Sequence, residues 1–165
     1  MRFKWVPEPP ETVDEVASIH RAIPLVPASE STCLQRLRNR GTPLDTRDDA
    51  TTWLTFLRAL DAVDRTPSGY RRRRVDLTAD LPNRLINGVY GARELYELLA
   101  AADGPLSVKT LVERAVELPT WEHYHQTDPQ RVRHRRQRRL IEWFVLCGLA
   151  ERTATGYRLT ETGRR

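Results

Sequence analysis

The densest chemistry in this sequence is basic. Arg131-Val-Arg-His-Arg-Arg-Gln-Arg-Arg139 packs six arginines into nine residues with no acid among them. Guanidinium groups fork around phosphate oxygens and guanine edges better than ammonium groups do, so the chemistry on offer is polyanion binding. On a helix, Arg131, His134, Arg135 and Arg138 stand at i, i+3, i+4 and i+7 and share one face. Arg133, Arg136 and Arg139 flank that face. Gln137 and one or two of the arginines have the groups needed to read base edges. The apolar residues Leu140, Ile141 and Phe144 begin only after the basic turns. The C-terminal half can therefore anchor in a core while the N-terminal half projects. A charge run is usually a solvated face; the complete lack of acid here argues for contact with nucleic acid. A second run, Arg71, Arg72, Arg73 and Arg74, offers backbone or minor-groove contacts, or else forms a solvated strand and linker.

Other reactive residues point nowhere so definite. His123-Tyr-His125 with Glu122 could ligate a metal, but no Cys or carboxylate pair elsewhere completes a site. Trp121 and Tyr124 beside them suit a core cover or a stacking surface. Cys33 and Cys147 lie in helical, apolar stretches without CxxC spacing and read as small buried hydrophobes. There is no phosphate-cradling Gly-rich loop and no convincing Ser-His-Asp or Cys-His arrangement. The expectation is a binding protein, not an enzyme, with no cofactor and no metal.

The bulk numbers agree. The 165 residues fit one large domain or two small ones, and 39% hydrophobic against 30% charged leaves material for a core or two. No apolar run approaches the ~20 residues of a membrane span. The start, MRFKWVPEPPETVDE, lacks the apolar h-region of a secretory signal, so a cytoplasmic location is expected. Net charge is +5, with a pI near 9.7, which favours polyanionic partners. All but two of the 27 basic residues are arginines, the exceptions being Lys4 and Lys109. A GC-rich coding sequence explains that excess more readily than function does. Without Arg71–Arg74 the first half of the chain would be acidic.

The chain repeats itself. Asp64-Arg-Thr-Pro-Ser-Gly-Tyr70 reappears as Glu151-Arg-Thr-Ala-Thr-Gly-Tyr157, an offset of 87. Carried backwards, that offset sets Leu54 on Ile141, Phe56 on Trp143, Leu57 on Phe144 and Leu60 on Cys147. Earlier, Pro27-Ala-Ser-Glu-Ser-Thr-Cys-Leu matches Pro105-Leu-Ser-Val-Lys-Thr-Leu-Val at an offset of 78. The second copy therefore carries an insert, around Leu118–Asp128.

Each copy reads as the same series. A first helix covers Thr12–Ala22 in copy one and about Pro82–Ala102 in copy two, where Asn87-Gly88 marks a kink. Ser29 and Ser107 cap a short second helix, because a serine oxygen accepts from free N–H groups in the first turn. A third helix spans about Arg47–Val63 and about Pro129–Leu149; Asp128 before Pro129 is a start signal. A two-stranded hairpin closes each copy around Gly69 or Gly156, since glycine permits the left-handed turn. Three helices and a hairpin make a winged helix-turn-helix. The expected fold is thus mainly α with short β-hairpin wings (α+β), as two tandem modules. The expected order is an extended arm at 1–11, module 1 at 12–74, a linker at 75–81 and module 2 at 82–165. Pro82 would open the helix after the linker, and that long helix could pack on copy one. The third helix of such a module usually enters the major groove. In copy two it carries the basic run. In copy one Asp45, as cap, with Asp48 and Asp49 suits the helix dipole and repels phosphate. Copy one is therefore expected to pack on copy two or on a partner protein.

The tail Gly148-Leu-Ala-Glu-Arg-Thr-Ala-Thr-Gly-Tyr-Arg-Leu-Thr-Glu-Thr-Gly-Arg-Arg165 resembles the third-helix end, wing and Tyr-x-Leu-Thr-x-x-Gly finish of archaeal and bacterial winged-helix regulators. Copy one departs from that pattern after Tyr70. The Arg-rich, Lys-poor layout resembles haloarchaeal tandem winged helix-turn-helix proteins of DNA-binding type. The resemblance implies a transcriptional regulator that contacts double-stranded DNA, with two modules in one chain imitating a dimer. The rival is a tandem winged-helix scaffold for protein partners, a plan similar to bacterial segregation subunits and ESCRT-II-type subunits. The acidic third helix of copy one and the Pro-rich arm with Trp5 favour it. RNA binding is a third option.

Overall fold

The computed structural model describes residues 6–41, 44–115 and 129–165. The chain divides into two compact units, with the boundary between Val89 and Tyr90. The elements of the first are α1 (Val13–His20), α2 (Glu30–Arg38), α3 (Arg47–Ala59), β1 (Val63–Thr66), β2 (Gly69–Arg72) and α4 (Leu77–Gly88). Those of the second are α5 (Ala92–Ala101), α6 (Val108–Arg114), α7 (Pro129–Leu146), β3 (Ala150–Arg152) and β4 (Tyr157–Leu159). Each unit is a winged helix: three helices, then an antiparallel hairpin. No helix among the described residues is long and apolar enough to cross a membrane.

The two offsets of the repeat reappear as geometry. Ala28 bridges to Tyr70, and Leu106 bridges to Tyr157. Each bridge adds a one-residue third strand before the second helix. Ser29 Oγ then accepts from the Thr32 N–H (3.1 Å), and Ser107 Oγ accepts from the Thr110 N–H (3.2 Å). The wing turns match as well: Thr66 Oγ1 donates to the Gly69 carbonyl, and Thr153 Oγ1 to the Gly156 carbonyl. The two glycines serve more than the turn. A Cβ on Gly69 would lie 2.2 Å from the Ala28 carbonyl oxygen, and one on Gly156 would lie 2.3 Å from that of Leu106. Only a residue without a side chain lets the bridge close.

Each core gathers around the third helix. Phe56 and Trp143, a repeat pair, are both essentially buried, as are Leu57 and Phe144. The Tyr-x-Leu-Thr-x-x-Gly tail closes the second unit. Leu159 enters the core. Thr160 Oγ1 donates to the Gly148 carbonyl (2.6 Å) and accepts from the Gly163 N–H (2.8 Å). Tyr96 Oη, from α5, donates to the Gly163 carbonyl (2.8 Å).

Three expectations about organisation need correction. The helix expected over Pro82–Ala102 is two helices, α4 and α5, parted at Val89–Gly91. Gly91 takes φ +82°, outside helical space, and a Cβ on Gly88 would lie 1.9 Å from the Ala59 carbonyl oxygen. The glycine thus seats the end of α4 on the end of α3. Residues 75–81 are not a linker but mostly the start of α4, capped by Asp76, whose Oδ1 accepts from the Thr78 N–H (2.9 Å). Pro82 consequently sits inside that helix and does not open it. Leu77, Leu81 and Leu85 are buried, so the helix completes the first core. Lastly, α3 is capped by Thr46, not Asp45: Thr46 Oγ1 accepts from the Asp49 N–H (3.1 Å) and donates to the Asp49 carboxylate (2.7 Å). At the N-terminus, the part of the arm that is described has no regular structure, and Val6 is buried. The expected insert and His123, His125, Glu122, Trp121 and Tyr124 lie outside the described residues.

Candidate nucleic-acid interface

The basic run lies on α7, and the helix sorts it by face. Arg131, His134 and Arg135 are exposed and Arg138 is half-buried. These are the four residues placed on one face by helical spacing. Arg139 lies half-buried beside them.

The opposite face is inside, and it holds two residues expected at the surface. Arg136 is only 5% exposed and Gln137 6%. Neither is placed to read bases. Arg136 Nη2 donates to the Tyr90 carbonyl (2.8 Å), and the guanidinium lies 5.8 Å from the centroid of the Tyr90 ring. Burial pushes its pKa down to about 10, so it stays a cation at neutral pH. Gln137 Nε2 donates to the Leu111 carbonyl, and the half-buried Arg133 donates to that of Val112 (3.1 Å). Those are among the last carbonyls of α6, and that of Val112 also accepts from the Ala115 N–H (3.3 Å). The pair fixes α6 against α7 and so sets the helix-turn-helix angle. Val132 completes this inner face at 9% exposure.

A contact that spacing did not reveal ties the wing to α7. The Glu142 carboxylate accepts from Tyr157 Oη on β4 (2.6 Å) and from Arg152 Nε on β3 (3.1 Å), with a second ion-pair contact from the same guanidinium. Burial alone would raise the Glu142 pKa. The hydrogen bonds from Arg152 and Tyr157 outweigh it and hold the carboxyl below its ordinary value. A signal existed in the repeated Gly-Tyr of both wings, but the acid that receives the hydroxyl has no counterpart at the matching position, Thr55.

Arg71–Arg74 are occupied differently. Arg71 pairs with Asp64 across the hairpin (3.5 Å), and Arg72 Nε donates to the Ile23 carbonyl (3.0 Å). Arg73 pairs with Asp61 and donates to its carbonyl (3.1 Å). Arg74 is exposed. Arg71 and Arg72 end the second strand of the wing and Arg73 and Arg74 follow it; the tip of the wing is Pro67-Ser68.

Among the described residues, no group of three or more His, Cys, Asp or Glu could hold a metal ion. Cys33 is fully buried and Cys147 half-buried. Burial raises both thiol pKa values, that of Cys147 to about 11.

No curated protein and no solved structure matches the chain. A family model does: that of the halobacterial double winged helix domain matches residues 1–164, in keeping with the two winged helices, and the chain belongs to that family.

Proposed function

We propose that this protein is a DNA-binding regulator that lays the outward face of α7 against duplex DNA. Winged helices generally serve DNA binding and regulation, and the third helix is the element that usually enters the groove. The observation that carries the reading is the face of α7: Arg131, His134, Arg135 and Arg138 look outward while Val132, Arg136 and Gln137 are buried behind them. The stripe contains no acid. Its cations neutralise phosphates, with Arg139 at the edge. The buried residues keep the helix from turning. Module 1 plays another part, because Asp48 and Asp49 stand exposed at the start of its third helix. That acid favours a protein-facing role for module 1.

The test is duplex binding across a salt series. Arg135→Ala/Arg138→Ala should weaken affinity and flatten the log–log salt slope by about 2, one unit for each phosphate that is no longer neutralised. Asp48→Ala should leave both unchanged. An unaltered slope in the double variant, or no duplex binding at low salt, refutes the proposal.

A further inference from the structure

The first unit carries a groove that DNA binding leaves unused. Two hollows, about 480 and 280 Å³, lie side by side and share Leu25, Arg72, Arg73 and Arg74. The larger also reaches Arg21 at the end of α1 and the buried Leu77 at the start of α4. Its size falls within the ~300–1,000 Å³ range of sites that hold a small ligand or anchoring side chains. Leu25 is 39% exposed and its neighbour Val26 73%; among the described residues these are the exposed large hydrophobics. Both belong to the Pro24-Leu-Val-Pro27 loop. The loop is held firmly from behind, since the Pro24 carbonyl accepts from the Arg72 N–H (2.7 Å) and the Ile23 carbonyl from Arg72 Nε. Leu25 thus lines both hollows from a braced loop, among guanidinium groups, and Val26 stands exposed next to it in the chain.

We propose that this groove docks an acidic segment of a partner protein, with an apolar side chain of that segment laid on Leu25 and Val26. Charge chooses the occupant. Arg21 and Arg74 stand exposed on the rim with Arg72 and Arg73 between them. Of the acids nearby, Asp76 is engaged as the α4 cap, and Asp61 and Asp64 pair with Arg73 and Arg71. Shape argues against a duplex. Phosphates lie on a convex cylinder and bring no apolar group to cover Leu25. An acidic peptide with an aliphatic or aromatic residue supplies both parts, the charge setting approach and register and the anchor supplying buried area.

Fluorescence anisotropy on the full chain tests this with a panel of short synthetic peptides. Each places leucine or phenylalanine among glutamates and aspartates, and each has a control in which glutamine and asparagine replace the acids. The acidic members should bind and the controls should not. Arg74→Glu and Val26→Asp change exposed side chains, so the fold should survive; each should weaken peptide binding about tenfold or more, a loss of ~1.4 kcal/mol per decade. Arg135→Ala/Arg138→Ala should weaken duplex binding alone, which separates a failure here from a failure of the DNA reading. No acidic peptide binding at millimolar concentration overturns the proposal. So does peptide affinity unchanged in Arg74→Glu, or duplex affinity that falls in Arg74→Glu as far as in the α7 variant. Self-association of the wild type that Val26→Asp abolishes, seen by sedimentation, would assign the groove to a second copy and overturn it as well.

Discussion

The two modules share what folds them and differ in what they show to solvent. At the offset of 87, Phe56 and Trp143 fill equivalent cores, and Gly69 and Gly156 make the same close approach. On the third helices the matching surface pairs diverge: Asp48 corresponds to Arg135, and Thr51 to Arg138. The helices also differ in extent. α7 begins at Pro129, whereas α3 begins at Arg47, the counterpart of His134. The extra turn in α7 brings in Arg131, Val132 and Arg133, and with them a new inner face. The wing joint differs too. Module 2 fastens Tyr157 to a carboxylate on its third helix, while in module 1 Arg58 lies 5.5 Å from the centroid of the Tyr70 ring. One repeat shows a cationic face on its third helix, and the other an acidic start to that helix and a cationic groove. Fold and surface are thus separable properties of one plan.

The shared part can be broken symmetrically. Phe56→Ala and Trp143→Ala should be the most damaging substitutions, each costing its own module about 3–5 kcal/mol through a cavity that cannot collapse. Denaturant unfolding followed by hydrogen exchange would assign the loss to one unit or the other. A loss spread equally over both would break the comparison.

Next come the glycines. Gly69→Ala and Gly156→Ala should each cost about 2–4 kcal/mol, because the new Cβ meets main chain that has no room to move. Gly148 is the control: its φ is +82°, but nothing lies within 4 Å of a Cβ there, so alanine should cost only about 1 kcal/mol. Thermal unfolding of the three variants checks the order.

The smallest effects sharpen the difference between modules, and they depend on pH. In module 1, buried His20 donates through Nε2 to the Ala62 carbonyl (2.8 Å), and burial lowers its pKa from the ordinary 6.5. The unfolded chain takes up that proton first. Stability of module 1 is therefore full above pH 6.5 and declines as pH falls toward the folded value. Module 2 has Leu98 at the position 78 residues after His20 and should hold until the Glu142 carboxylate is protonated. That pKa is lowered, so its contribution is present above the ordinary carboxyl range and lost below it, roughly under pH 4. His20→Gln keeps a donor without the titration and should flatten the mild-acid limb of module 1. Glu142→Gln should cost module 2 about 1–2 kcal/mol at neutral pH and leave module 1 alone. Module-resolved hydrogen exchange from pH 7 to 4 would show both, and a simultaneous decline of the two units would count against the assignment.

Much of the architecture could be read before any coordinates, because it rests on residues with strong local preferences. Ser29 and Ser107 cap helices for the reason their spacing suggests, and the stripe on α7 faces out as helical periodicity requires. The failures have a common physical cause. Arg136, Gln137 and Arg133 find their partners in main-chain carbonyls of Tyr90, Leu111 and Val112, and a carbonyl leaves no mark in a sequence. Apolar spacing runs on through Leu85, Val89 and Ala92, so periodicity alone predicts one helix where Gly88 and Gly91 impose two. Glu142 escaped notice because the groups that hold it, on Arg152 and Tyr157, belong to a hairpin whose pairing had to be known first.

The placement of α4 decides where this protein can be cut. Leu77, Leu81 and Leu85 are no more than 1% exposed, and burying each such side chain is worth about 1.5–3 kcal/mol. Three of them together rival the whole margin, about 5 kcal/mol, on which a small domain survives. A recombinant fragment stopped at Arg74, where the repeat itself ends, would carry an open apolar flank and invite aggregation. A fragment carried on to Val89 keeps its lid of leucines, and a protease seeking an entry between the repeats would find helix at 77–88.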